Sequence, residues 1–126
     1  EILLQLLAKY HGTAEPDVIA PSLRHRAANI IAGHSAILGG RPAREIDLWA
    51  VHPGGRSVLD AVERALKLEP AALVLSREVL RKYGNMSSVT VMFVMAEMLK
   101  EPSGLLGCGM AFGPGLTTET LMFRTA

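Results

Sequence analysis

The chain has 126 residues, a formal net charge of +1 and a single cysteine, Cys108. That length is one domain's worth; mixed, near-neutral charge argues against nucleic acid or an anionic membrane as partner; and one cysteine excludes an internal disulfide and a cysteine-based zinc site. The types AVILMFWYC make up 49% before the 12 glycines are added, above the usual ~45–50% that already counts glycine, so part of this apolar surface is expected to want a partner, in a reducing cytoplasm.

The run from Ile2 to Ala8 is broken by Gln5 and closed by Lys9, far short of the ~18 apolar residues of a membrane span. It predicts a short helix over residues 1–10, stopped by His11-Gly12 and followed by the turn formers Thr13 to Asp17. A start on Glu1, without an initiator methionine, reads as cut rather than native. From Ser22, the positions Leu23, Ala27, Ile30, Ile31, Ile37 and Leu38 predict an amphipathic helix that Gly39-Gly40 ends. Arg41 to Glu45 read as a polar connector. Ile46 to Val51 are apolar on both alternations except Asp47, the pattern of a strand covered on both faces.

After Gly54-Gly55, the spacing of Val58, Leu59, Val62, Ala65 and Leu66 predicts a second amphipathic helix, with Arg56/Asp60 and Glu63/Lys67 paired on its exposed side. Ser76 is the expected N-cap of a short helix ending at Tyr83, where Gly84 suits a left-handed stop. Asn85 then opens a helix to about Lys100. Between Val89 and Met95 only Thr90 is polar, so this helix is expected to be buried on several sides. Leu105 to Phe112, the turn Gly113-Pro114-Gly115 and Thr117 to Thr125 read as a β-hairpin. Strand, helix, helix, buried helix and hairpin together predict a layered α/β domain.

His52 falls at the strand exit, where open α/β sheets place their sites. It could equally be a polar cap on the turn, and placement alone leaves both readings open. Gly54-Gly55 adds side-chain-free amides that an anion could approach closely. Asn85 taken alone reads as an N-cap. Yet both residues begin a helix after a glycine-marked turn, and both can donate a hydrogen bond without a permanent charge at neutral pH. Two such donors on one carbonyl oxygen would form an oxyanion hole, worth on the order of 10²- to 10³-fold in rate per donor.

Other constellations are weaker. Ser57, His52 and Asp47 include the types of a hydrolase triad, but no G-x-S-x-G elbow is present and Asp47 lies at the far end of the strand. His11, His25 and His34 lack metal-ligand spacing, and no metal is expected. Gly107 and Gly109 around Cys108 fit a strand of small residues better than a phosphate loop, since no lysine follows. Cys108 itself reads as a small core residue rather than a nucleophile.

Three strings remain: WAVHPGG (Trp49 to Gly55), REVLRKYGNMSS (Arg77 to Ser88) and GMAFGPGLTTETLMF (Gly109 to Phe123). In this order and spacing they resemble the C-terminal half of type III polyketide synthases, the chalcone-synthase-like enzymes of plants and bacteria. Residues 21–126 are taken as that chalcone/stilbene synthase C-terminal domain, with a close match from Ile46 onward; residues 1–20 do not match the family.

The resemblance implies a thiolase-like α/β fold, of which this is the C-terminal half, with the Asn85 helix layered between sheets. It also implies a Cys-His-Asn site that loads an acyl group from a CoA starter, decarboxylates malonyl-CoA and joins the two by Claisen condensation. His52 matches the family's histidine and Asn85 its asparagine. The turn after His52, through Gly54, Gly55 and Ser57, would lie by the CoA tunnel. Ser87 and the loop Ala111, Phe112, Gly113, Pro114 and Gly115 would shape the polyketide cavity, the family usually having glycine at Ala111.

No permanently bound cofactor is implied; malonyl-CoA and acyl-CoA enter as substrates. The implied partners are an N-terminal half carrying the nucleophilic cysteine and a second copy in a homodimer. Cys108 cannot replace that cysteine, so the isolated chain is expected to be inactive. Two alternatives stand beside this reading: a fragment of a fatty-acid-type ketoacyl synthase, which shares the histidine and asparagine but differs in the turn after the histidine, and a non-catalytic remnant that dimerises or binds CoA thioesters.

Overall fold

Strand β1, Leu48–Val51, belongs to core clusters on both of its faces in a computed structural model that describes residues 38–113 and 117–126. The helices expected over residues 1–10 and from Ser22, the histidines at 11, 25 and 34, and the loop residues Pro114 and Gly115 lie outside the described residues. β1 is covered on both faces, as its unbroken apolar sequence requires. Trp49 and Val51 pack with Leu59, Val62, Leu66 and Leu73 on one side, and Ala50 packs with Val79, Val94 and Met98 on the other.

β1 lies parallel to β2, Leu106–Gly113, and β2 runs antiparallel to β3, Thr117–Arg124, giving the order β1-β2-β3. A parallel neighbour demands a long crossover, and the intervening chain supplies it as three helices: α1, Arg56–Leu66, α2, Val74–Tyr83, and α3, Val89–Met98. The register sets Trp49 beside Cys108 and Val51 beside Met110. The expected hairpin is present, with β2 and β3 paired from Leu106–Arg124 to Gly113–Thr117. The small residues of β2 make room for β3: a Cβ on Gly107 would lie 2.2–2.6 Å from the Phe123 ring, and one on Gly109 would lie 3.2 Å from Leu121.

α1 buries Val58, Leu59, Val62 and Leu66, the face that its spacing predicts. The ion pairs expected along its surface are replaced by a link to α2. Asp60 and Glu63 both turn to Arg77, at 2.8 and 2.9 Å, because a guanidinium presents several donors in one plane and can serve two carboxylates together. α2 also departs from expectation. It begins at Val74, out of a 3₁₀ turn over Pro70–Leu73, so Ser76 is not its N-cap; the serine sits inside the helix, fully buried. Gly84, at φ 70°, ends the helix as the sequence suggested.

α3 starts at Val89 rather than Asn85, because residues 85–88 are spent on a turn. Thr90 Oγ1 accepts from the Met86 N–H at 2.7 Å and donates to the Ser87 carbonyl at 2.8 Å, while Ser87 takes a left-handed φ of 66°. Among the described residues only the Thr90, Val94 and Met98 face of α3 is buried. Val89, Met92 and Phe93 are 45%, 59% and 38% exposed, in place of the burial on several sides that the apolar run predicted. No helix among the described residues is long and apolar enough to cross a membrane.

Candidate functional site

The site is built where β1 ends. The His52 N–H still donates to the Met110 carbonyl at 2.8 Å, so the sheet holds this main chain one residue past the strand. Its carbonyl accepts from the Gly54 N–H at 3.0 Å, closing a tight turn around the buried Pro53. That turn brings Gly54 against the imidazole: a Cβ there would stand 3.8 Å from Cδ2 and 3.9 Å from Nε2.

Gly54 also meets the other predicted donor. Asn85 Nδ2 donates to the Gly54 carbonyl at 3.2 Å, across 31 residues of sequence. Asn85 Oδ1 accepts from the Ser87 N–H at 2.9 Å. The two bonds fix which end of the amide is which, and a primary amide nitrogen carries two hydrogens, so one remains for a ligand. Asn85 is therefore held by a bond to the Gly54 carbonyl, and Ser88, not Asn85, is the residue before α3. His52 and Asn85, far apart in sequence, both lie beside one glycine.

His52 is half-buried, and that burial lowers its pKa from the ordinary histidine value. A desolvated imidazole favours the neutral form, which has one N–H to give and one lone pair to accept with. A neutral histidine and a neutral amide then flank the same turn, next to the start of α1 at Gly55.

The other described candidates lie on the start of α1, on the turn before α3 and on β2. Gly55 is the residue before α1, and Ser57 lies half-buried in its first turn. Ser87 is exposed on the turn that orients Asn85. Ala111 and Phe112 continue β2 beyond Met110, the residue whose carbonyl holds His52, and Phe112 packs on the core that contains Trp49 and Val51. Gly113 closes β2 opposite Thr117. Asp47 lies at the opposite end of β1, where its carboxylate accepts from the Leu106 N–H at 2.9 Å and ties β2 to the strand entrance. Cys108 is fully buried in β2, and burial pushes its thiol up to about 11; a thiol there is neither ionised nor reachable at neutral pH.

Three contributors escaped the sequence. The Gly54 carbonyl, as the joint between the two donors, has no signature at all. Thr90 carried one, as the sole polar residue in an apolar run. Ser76 carried another, lying at three-residue spacing between the buried Leu73 and Val79, a face where a serine needs a partner.

A histidine at a strand exit, and an asparagine that bonds the turn following it, stand on a layered α/β frame. Residues 36–126 match the family described as chalcone and stilbene synthases, C-terminal domain. The chain belongs to that family, the type III polyketide synthases. It is 44% identical over 84 residues to bisdemethoxycurcumin synthase of Oryza sativa subsp. japonica, a match that covers 60% of this chain and 21% of that protein. The crystal structure of PKS-I from the brown alga Ectocarpus siliculosus superposes with a TM-score of 0.64 at 28% identity, covering 82% of this chain and 30% of that one. The chain thus spans about a fifth of the rice relative's length.

Proposed function

We propose that this chain supplies His52 and Asn85 as the enolate-stabilising donors of a type III polyketide synthase, in a site that a cysteine-bearing N-terminal half completes. The observation that carries this reading is that the Asn85 amide bonds the Gly54 carbonyl while the His52 ring lies beside the same glycine. When malonyl-CoA loses CO₂, the electron pair of the broken C–C bond moves onto the thioester oxygen as an enolate. Neutral donors aimed at that oxygen stabilise it more than they stabilise the uncharged thioester, which is what lowers a barrier. The enolate carbon then attacks the acyl group held on the cysteine, and the thiolate departs. Between cycles the imidazole helps to keep that cysteine ionised.

In this scheme Gly54 and Gly55 leave room for the thioester, Ser57 lies by the CoA, and Ser87 with Ala111, Phe112 and Gly113 lines the space where the product grows. The exposed apolar side chains of α3, Val89, Met92 and Phe93, offer the surface on which the N-terminal half packs. A cytoplasmic homodimer using malonyl-CoA and an acyl-CoA starter completes the reading. The chain alone turns over nothing, for want of an accessible thiolate. The direct test is His52→Ala in the full-length enzyme, expected to slow malonyl-CoA decarboxylation by about 10²- to 10³-fold. CO₂ release at the unmodified rate would remove His52 from the mechanism.

A further inference from the structure

Outside the pair just described, the most informative buried polar contact joins α2 to the last residue of β1. Ser76 is fully buried, and its Oγ donates to the Val51 carbonyl at 2.8 Å across 25 residues of sequence. A serine inside a helix ordinarily turns its hydroxyl back to its own helix's carbonyls or out to water. Here it reaches to a strand, and to the strand residue that precedes His52.

The Val51 carbonyl and the His52 N–H belong to the same peptide unit, which is planar and stiff about its C–N bond. The N–H is held by Met110 at 2.8 Å, and the carbonyl by Ser76. Successive strand residues turn their backbone groups to opposite sides, so with His52 bonded to β2, the Val51 carbonyl faces away from that strand. In the described sheet β1 pairs with β2 alone, and the α2 hydroxyl meets the carbonyl on the other side. One peptide plane is thus clamped at both ends. With that plane fixed, the His52 Cα is fixed, and the imidazole retains only the rotations beyond it to settle against Gly54.

We propose that Ser76 is a positioning residue for His52: its hydroxyl clamps the Val51–His52 peptide and so sets where the imidazole stands over Gly54. This rests on the reading of His52 as an enolate donor. A donor displaced by about 1 Å from its working position loses up to ~10²-fold in rate, so the clamp matters to chemistry as well as to folding.

The test compares Ser76→Ala, Ser76→Cys, His52→Ala and the Ser76→Ala/His52→Ala double variant in the full-length enzyme, following malonyl-CoA decarboxylation. The alanine variant is expected to lower kcat by about 10- to 100-fold with KM nearly unchanged. Cysteine, close to serine in size but a weak donor, is expected to do the same, and it decides the matter if the alanine variant does not fold. The double variant is expected to be no slower than His52→Ala, because a positioning residue has nothing left to position. If His52→Ala is slow while the serine variants are not, or if the double variant falls by the product of the two single effects, the role of Ser76 is overturned and that of His52 stands. If His52→Ala is as fast as the parent, the reading of His52 fails, and Ser76 as its positioner fails with it.

Discussion

Asn85→Asp separates an oriented donor from a structural asparagine, because it keeps one of the two bonds and inverts the other. The Oδ1 that accepts from the Ser87 N–H at 2.9 Å survives as a carboxylate oxygen, so the turn before α3 keeps its closure. The atom facing the Gly54 carbonyl at 3.2 Å changes from an N–H donor to a second oxygen, and oxygen meets oxygen. Asn85 is exposed, so the structural cost should stay near the ~1 kcal/mol of one lost hydrogen bond. The chemical cost is larger: an oxyanion donor contributes about 2.7–4 kcal/mol, and a negative charge placed beside a forming enolate adds repulsion to that loss. Asn85→Asp is therefore expected to fold like the parent and to decarboxylate malonyl-CoA at least ~10²-fold more slowly, with Asn85→Ala less impaired than the aspartate. CO₂ release and thermal melting on the same full-length preparations measure both quantities. An aspartate variant within about threefold of the parent rate, or one faster than the alanine variant, would refute the donor role.

Gly107→Ala should destabilise the fold by about 1–3 kcal/mol, since its Cβ would enter the Phe123 ring at 2.2–2.6 Å; Gly109→Ala, at 3.2 Å from Leu121, should cost less, and denaturant midpoints that reverse this order would contradict the packing of β2 on β3. Burial holds the folded pKa of His52 below its ordinary 6.5, so as pH falls the unfolded chain binds the proton first. Stability from this residue is intact above that value and lost on acidification through it. His52→Gln should accordingly lose less stability than the parent between about pH 7.5 and 5.5, read as urea midpoints, and equal losses would show that the ring is not desolvated. Cys108, with its thiol pushed up to about 11, should react with a water-soluble disulfide reagent only after unfolding, and Cys108→Ala should leave decarboxylation intact; fast labelling of the native protein would place the thiol at the surface.

Local pattern was enough to reveal the elements whose character depends on neighbours in sequence. The continuous apolar stretch ending at Val51 marks a strand buried on both faces, the spacing from Val58 to Leu66 marks the buried side of α1, and Gly84 marks the end of α2 by the left-handed φ that glycine tolerates. His52 and Asn85 both stood out in the sequence as polar residues beside glycine-marked turns. Cys108 was legible as an inert core residue because nothing basic accompanies it in sequence.

Contacts between distant residues were decided by tertiary packing. Asp60 and Glu63 had suitable cations four residues away in sequence, yet both bind Arg77 of α2, whose position follows from the docking of one helix on another. Ser76 looked like a cap because serine often is one; only the proximity of β1 turns its hydroxyl to Val51. α3 begins after Asn85 because Thr90 closes the preceding turn, and a side-chain hydroxyl competing for backbone groups leaves no mark in hydrophobic periodicity. The convergence of His52 and Asn85 on Gly54 belongs to the same class. Sequence determined which side chains could donate to an oxyanion, since that is a property of each residue. Their nearness to one glycine required the β1–α1 turn and the α2–α3 turn to meet, and that is set by how the helices pack on the sheet.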